Sequence, residues 1–393
     1  MNYILFDKHI RENFLPFTYT RSVADIRCGI LTMREKWEAY IGSIAHTDTV
    51  AYLQNIYTQE LNAQNYFIAA NIFPDMYVMQ EINALAGNSV LKNGETVIAY
   101  CLTEIYSKQF IAGGELENLQ TIQSQFQIAS INHPWDIFSK NDNALRDDFN
   151  LLTANKNSQF LSKTNTVIGS DIFIAEGAKV EASILNATTG PIYIGKNAEV
   201  MEGCVIRGPF AMCDNAQLKM GAKIYGATTL GPNCKVGGEV NNAVFFANSS
   251  KAHDGFIGNS VIGEWCNLGA DSNNSNLKNN YEEVKLWSEA KGTFVKTGLQ
   301  FCGLMMADHS KCGINTMFNT GTVVGVSANI FGAGFPRNFI PSYSWGGASG
   351  FTEYKIDKAL QTMKLVFARR NKALSQRDID LFTKVFELTS GQR

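Results

Sequence analysis

The chain has 393 residues, enough for two or three domains that each bury their own core. Its 34 basic and 36 acidic residues nearly cancel, so no global positive field exists to hold a nucleic-acid backbone, and DNA and RNA are not expected as partners. Asp7, Lys8, Arg11 and Glu12 interrupt any leader-like apolar run, no stretch has the length and apolarity of a membrane span, and no membrane partner is expected. The eight cysteines contain no C-x-x-C pair and the five histidines no H-x-H or H-x-x-x-H spacing, which predicts reduced thiols in a cytoplasmic protein and no metal site.

The first hundred residues alternate strand and helix. Tyr3 to Phe6 reads as a short buried strand, Thr32 with Glu35 forms a capping box opening a helix through Trp37, and Tyr66 to Ala70 is a second strand. Pro74 starts a helix that ends near Gly87, and Val97 to Leu102 makes a third strand. The pattern predicts a parallel-sheet α/β domain over residues 1–131. Residues 132–165, with Pro134, Trp135, Asp136 and the charged run Arg146, Asp147 and Asp148, read as a connection that packs rather than dangles.

Stepping by six from Ile194 meets Val200, Ile206, Met212, Leu218, Ile224, Leu230 and Val236, an aliphatic residue at every stop. Ile168, Ile174 and Val180 keep the same spacing earlier; Ile262 and Leu268, then Cys312, Phe318, Val324 and Ile330, keep it later. A fixed period of this kind marks a solenoid whose coils cannot bury their apolar side alone. Six residues fit one face of a triangular coil, with one side chain inward and a sharp corner where glycine or asparagine tolerates unusual backbone angles. Residues 166–346 then hold roughly eight to ten coils of a parallel β-helix. A β-sandwich would show period two over longer strands instead.

The register breaks in three places. Asn186 replaces an inward aliphatic, the frame slips after Val236 until Val244, Phe256 and Ile262 restore it, and between Asp271 and Val295 the pattern vanishes, as for a loop projecting from the coil. Beyond Gly346, residues 347–393 turn helical, with Ser375 and Asp378 capping the last helix.

An α/β domain ahead of a hexapeptide β-helix resembles the bifunctional sugar-1-phosphate nucleotidylyltransferases that also transfer acetyl groups, of the N-acetylglucosamine-1-phosphate uridylyltransferase/acetyltransferase type. The resemblance implies a left-handed β-helix behind a nucleotidyltransferase-like domain. In the solenoid it rests on Ala252-His253-Asp254-Gly255-Phe256, followed by Cys266-Asn267-Leu268-Gly269-Ala270 and Ser275-Asn276. It implies that His253 is the general base of acetyl transfer, that Asn267 binds the sugar, and that Ala270 and Asn276 contact the coenzyme. A histidine suits this role because a sugar amine must lose a proton as it attacks a thioester. Lys223 falls near the family's phosphate-binding arginine, while Asn241 and Phe256 stand where lysine and tyrosine are expected.

The N-terminal half departs further. Leu15 to Arg21 and Thr32-Met33-Arg34-Glu35 resemble the segments after the nucleotidylyltransferase glycine loop, but Asp7 to Asn13 replace the loop itself, whose glycines let backbone N–H groups wrap a triphosphate. Asn71 stands in place of the metal-binding aspartate and is a poor Mg²⁺ ligand. Arg11, Arg21 and Arg27 remain as candidate phosphate contacts. Three readings follow: an acyltransferase using acetyl-CoA or another acyl-CoA and a sugar phosphate or sugar nucleotide; a sugar-1-phosphate nucleotidylyltransferase with an altered loop, needing Mg²⁺; and a non-catalytic sugar-nucleotide binder or scaffold. A homotrimer is expected, because a flat solenoid face gains burial against copies of itself.

Overall fold

In the computed structural model, which describes residues 2–393, the chain folds into two compact units. One comprises the chain through Phe14, Arg21–Ile26 and Leu31–Asn132; the other takes Leu15–Thr20, Arg27–Ile30 and His133–Arg393.

The first unit is built on a six-stranded sheet in the order β2-β1-β3-β5-β4-β6. Its elements are β1 (Asn2–Phe6), α1 (Met33–Ile41), β2 (His46–Asp48), α2 (Ala51–Gln54), β3 (Gln64–Ala69), α3 (Met76–Asn83), β4 (Ser89–Asn93), β5 (Thr96–Thr103), α4 (Glu104–Ile111) and β6 (Gln120–Gln123). The capping box at Thr32 and Glu35 is present, and Asp75 rather than Pro74 caps α3. The sheet is mixed, not parallel as the alternation predicts: β3 and β4 both run antiparallel to β5. Gly94, at φ +57°, turns the chain back after β4 in a connection too short for a crossover helix.

The second unit is a parallel β-helix with α5 (Asp136–Ser139) and α6 (Asn141–Thr153) packed on its side and α7 (Ile356–Ala368) and α8 (Gln376–Leu388) at its end. One of its three faces stacks nine parallel strands, from Lys179–Val180 to Ser344–Gly347. Every stop from Ile194 to Val236 lies in one continuous buried core. Each coil buries its aliphatics only against the coils above and below, so the stack rather than any single turn is the folding unit.

At the breaks the inward residue sits one position away from the six-residue stop. Val167, Leu185, Ile206, Ile224, Val240 and Ile257 share one inward column by strand register, so Ile168, Asn186 and Phe256 point outward. Likewise Phe245, in register with Leu230 and Ile262, takes the place expected for Val244. A one-residue slip exchanges the two faces of a strand, and the short corner at Asn242 (φ +50°) produces it here. The coil also continues past Asp271: Asn273–Asn274 still pairs with Met317–Phe318. The inserted loop therefore begins after Asn274 and carries an antiparallel hairpin, Lys285–Ser288 with Thr293–Lys296. Before the C-terminal helices comes a second hairpin, Ser344–Gly347 with Gly350–Glu353.

One corner column explains how the end of the solenoid is covered. Asn197, Asn215, Asn233 and Asn248 take left-handed backbone angles there, which asparagine tolerates. In later coils Trp265, His309 and Tyr343 hold the same conformation at a steric cost. Their rings are offset by burial: His309 packs on Phe367 of α7 and Phe382 of α8, Trp265 lies 4.4 Å from Phe367, and the Tyr343 hydroxyl donates to the Phe382 carbonyl at 2.7 Å. All eight cysteines are free and buried.

Candidate functional site

Alternation along the strands sends the residues flanking each inward aliphatic out of the coil. On the face that begins with Thr166–Ile168 this makes two outward columns. Ile184, Val205, Lys223, Glu239 and Phe256 form the first, and Asn186, Arg207, Tyr225, Asn241 and Gly258 the second. Lys223 and Phe256 therefore share a column while Asn241 stands in the neighbouring one. Successive coils lie about 4.8 Å apart, which puts Phe256 roughly 10 Å from Lys223.

Helix α6 lies on the neighbouring face, against Tyr193, Ala211 and Thr228–Leu230, and its first turn reaches the corner between the two faces, where two clefts share Asp142, Gly226 and Ala227. The first, of about 760 Å³, is lined by Arg207, Lys223, Tyr225 and Glu239 together with the apolar Val205 and Pro209. The second, of about 510 Å³, is lined by Asn241, Asn242, Asn259, Phe138 and Phe301. The Tyr225 hydroxyl donates to Glu239 at 2.6 Å; burial and then this carboxylate push its pKa up to about 12, so it stays a donor at neutral pH. Asn141, at the start of α6, donates to the Ala227 carbonyl at 2.8 Å and holds the helix on the coil.

Phe256 and Asn276 meet over Gly258. A Cβ there would lie 2.5 Å from the Phe256 ring and 2.7 Å from the Asn276 amide. Asn276 donates to Asn259 at 2.7 Å, so this residue, expected beside a coenzyme, extends the amide network behind the second cleft. His253 occupies the corner that leads into the Phe256 strand, exposed, and its imidazole makes no hydrogen bond among the described residues. Asn267 is exposed on a different face, in register with Ser250 and Lys311, and Ala270 lies at the corner beyond it. The structure thus brings together Asn241, Phe256 and Asn276 with Lys223 in the adjoining cleft. It sets His253 at the edge of this group and Asn267 and Ala270 around the next corner.

Of the lining residues only Lys223 and Asn241 are among the sequence candidates, and Arg207, Asp142 and Phe301 are the instructive omissions. Arg207 sits on the coil before Lys223, and its signal was available as a cation one position outward of the inward stop Ile206. Asp142 and Phe301 come from α6 and from the inserted loop, and no periodicity links either to the face.

In the first unit the segment that replaces the glycine loop is occupied by its own side chains. The Asp7 carboxylate accepts from the Val23 amide at 2.8 Å and lies against Thr49, Ser22 and Arg11; burial, opposed by these contacts, raises its pKa. Arg11 donates to the Tyr52 hydroxyl, and Arg11, Arg21 and Arg27 are all buried. The Asn71 amide donates to the Ile131 carbonyl at 3.0 Å and to Asn132 at 3.1 Å, with His9 beside it, its pKa lowered by burial against the opposing Asn71 contact. The amide nitrogen is spent on carbonyls and the oxygen brings no charge, a poor fit to a Mg²⁺ ion, and no group of three metal-ligating side chains occurs among the described residues. No helix among them is long and apolar enough to cross a membrane.

Residues 3–157 match the family described as sugar nucleotidyl transferase. The chain is 28% identical over 144 residues to the bifunctional sugar-1-phosphate nucleotidylyltransferase/acetyltransferase of Sulfurisphaera tokodaii, covering 36% of this chain and 35% of that protein. It is 28% identical over 213 residues to the bifunctional protein GlmU of Methanococcus vannielii, covering 52% of this chain and 42% of that protein. With an uncharacterized acetyltransferase, YaiX, of Escherichia coli O6:K15:H31 it shares 25% identity over 149 residues, 37% of this chain and 64% of that protein. The matches to the two bifunctional proteins span less than half of their length. With its α/β unit and the β-helix behind it, the chain is thus similar in part to the bifunctional sugar-1-phosphate nucleotidylyltransferase/acetyltransferases, and its residues 3–157 match the sugar nucleotidyl transferase family.

Proposed function

We propose that the chain is a sugar-directed acyltransferase, moving an acetyl or other acyl group from acyl-CoA to the amine of a sugar phosphate or sugar nucleotide. The observation that carries this reading is the outward face of the β-helix, where a cleft with Arg207 and Lys223 continues into one lined by amides and the Phe301 ring, with His253 outside both linings at the corner that begins the Phe256 strand. Two cations suit a phosphate, and amides with an aromatic ring suit a sugar. His253 takes the proton from the amine as the nitrogen attacks the thioester carbonyl. The C–N bond forms, the C–S bond breaks, and the imidazolium returns the proton to the departing thiolate. Asn267 orients the acceptor, and Ala270 and Asn276 lie along the acyl-CoA in a groove between adjacent β-helices of a homotrimer. Exposed Ile168, Ile184 and Val205 give one solenoid face the apolar patch such packing requires.

Titration calorimetry against acyl-CoAs, nucleoside triphosphates and UDP-sugars, followed by an assay of thiol release with amino-sugar phosphates, tests the reading. Acceptor-dependent thiol release is expected, and light scattering is expected to give a trimer. A monomer at micromolar concentration would remove the shared groove and the acyl-CoA site with it. The family match over residues 3–157 favours a second reading, nucleotidyl transfer; triphosphate binding and pyrophosphate release without acyl transfer would put it first. Ligand binding without any turnover would leave a sugar-nucleotide binder.

A further inference from the structure

The β-helix core contains a charge. Lys251 stands in an inward column, in register with Val236 on the coil before, and Leu268 follows on the coil after. It is 1% exposed. Its ammonium makes no ion pair among the described residues. Its Nζ donates instead to three backbone carbonyls, Gly237 at 3.0 Å, His253 at 2.5 Å and Asp254 at 3.1 Å. Two of the three belong to the corner that carries His253, and the third to the corner stacked on it.

Stability does not account for this lysine. Burying an ammonium is costly, and a methionine of similar length would fill the same column beside Val236 and Leu268 without that cost. The burden shows in the group itself: burial, only partly opposed by the nearby Asp254 and Asp271 carboxylates and the Cys312 thiol, lowers its pKa to about 8. What the ammonium supplies is geometry. Three donors on one nitrogen converge on carbonyls of two consecutive corners, whose amides point elsewhere. From the next coil the Asp271 amide also donates to the Asp254 carbonyl at 3.0 Å. Gly255, at φ +111°, has no room for a side chain against the Ser272 carbonyl. The corner is held from within and from the following coil, while the His253 imidazole is left free on the outside.

We infer that Lys251 is a positioning residue for His253, an ammonium clamp inside the coil that fixes the backbone of corner 252–255 and with it the point and direction from which the His253 side chain leaves toward the outward face. The catalytic purpose rests on the acyltransferase reading; the clamp itself does not. A general base displaced by about 1 Å loses on the order of 10²-fold in rate, so a clamp at its backbone has a measurable consequence.

The test is Lys251→Met in the full-length chain, followed by amide hydrogen exchange, thermal melting and steady-state kinetics. Exchange at Phe256 and Asp271, whose amides bond Asn273 and the Asp254 carbonyl, is expected to quicken by about tenfold or more, as for the loss of one charge-assisted hydrogen bond. Exchange in the coils around Val200 and Ile330 is expected to stay as in the wild type, and the melting temperature to hold or rise. In the acyl-transfer assay kcat should fall by about tenfold or more with KM for the acceptor unchanged. Lys251→Gln keeps two donors and should fall between. Faster exchange throughout the coil together with a lower melting temperature would make Lys251 a plain structural residue and overturn the inference. So would unchanged exchange at the corner, or a rise in KM with kcat intact. If the wild type shows no CoA-dependent transfer, the acyltransferase reading fails on its own account, and the exchange result still decides the clamp.

Discussion

Replacing Asn71 with aspartate puts back the carboxylate that the family places after this strand, and the structure predicts damage rather than a gained activity. Asn71 is 3% exposed, and its amide donates to the Ile131 carbonyl and to the Asn132 side chain. A carboxylate at this position has no proton for either, so two acceptors lose their donor and a new charge faces them in a dry site. Each such buried group costs about 1–3 kcal/mol, which gives roughly 2–4 kcal/mol after local relaxation. With an m-value of about 1–3 kcal/mol/M, the urea midpoint should fall by about 1–2 M. His9, kept neutral by burial, lies beside the new group, so acid pH, which protonates either partner, should narrow the loss. Urea titrations of both forms at pH 5 and pH 8 measure this, alongside pyrophosphate release from UTP and hexosamine-1-phosphate with Mg²⁺. An unchanged midpoint with Mg²⁺-dependent turnover would refute the reasoning, because it would mean that the site still accepts a metal and that only the carboxylate was missing.

Substituting His253→Ala should lower acyl transfer by about 10²- to 10⁴-fold while moving stability by no more than about 0.5 kcal/mol, since the side chain is exposed. Full activity in the variant would reduce His253 to a corner residue. Glu289, in the inserted hairpin, accepts from Tyr19 at 2.6 Å and Gln392 at 2.8 Å; its pKa is raised from 4.5 by burial, which these two contacts oppose. A raised carboxyl binds its proton more tightly in the folded than in the unfolded chain, so stability declines as pH rises from the unfolded value through the folded one. Glu289→Gln should therefore gain on the wild type at pH 8 relative to pH 4; an equal difference at both would show that the carboxyl carries no proton-linked penalty.

Much of the solenoid is legible in sequence because its physics repeats. Seven stops from Val200 to Val236 each need an apolar side chain in the same stack, and the asparagines at 197, 215 and 233 each need the same left-handed corner. The mixed sheet of the first unit is not legible in the same way. Strand direction there depends on one turn at Gly94, and a single glycine between two apolar runs carries little against the expectation set by alternating strand and helix. The clefts are less legible still, since Asp142 and Phe301 reach the face from α6 and from the inserted loop, far from the residues they join.

The break after Val236 shows why a periodic reading loses the site where it matters. Between Val236 and Ile262 two coils are shortened, and the inward column that should hold an aliphatic holds Lys251. Counting by six from Val236 passes Lys251 altogether, because this coil is three residues short, and only strand register shows the residue turned inward in the Val236 column. A charge tolerated in a column of aliphatics is a stronger pointer than the histidine two residues on. An exposed corner histidine costs nothing to keep, whereas a buried ammonium persists only where its hydrogen bonds do something that packing cannot. In a solenoid, therefore, a polar residue that keeps the inward phase and breaks only the composition marks a corner whose geometry is being specified. Asn274 follows the same rule one coil later: it is in register with Phe318, and its side chain accepts from the Gly258 amide at 2.9 Å and donates to the Gly258 carbonyl at 3.1 Å. Lys251 and Asn274 thus bracket the strand that runs from His253 through Phe256 to Asn259, each bonding its backbone from within the coil.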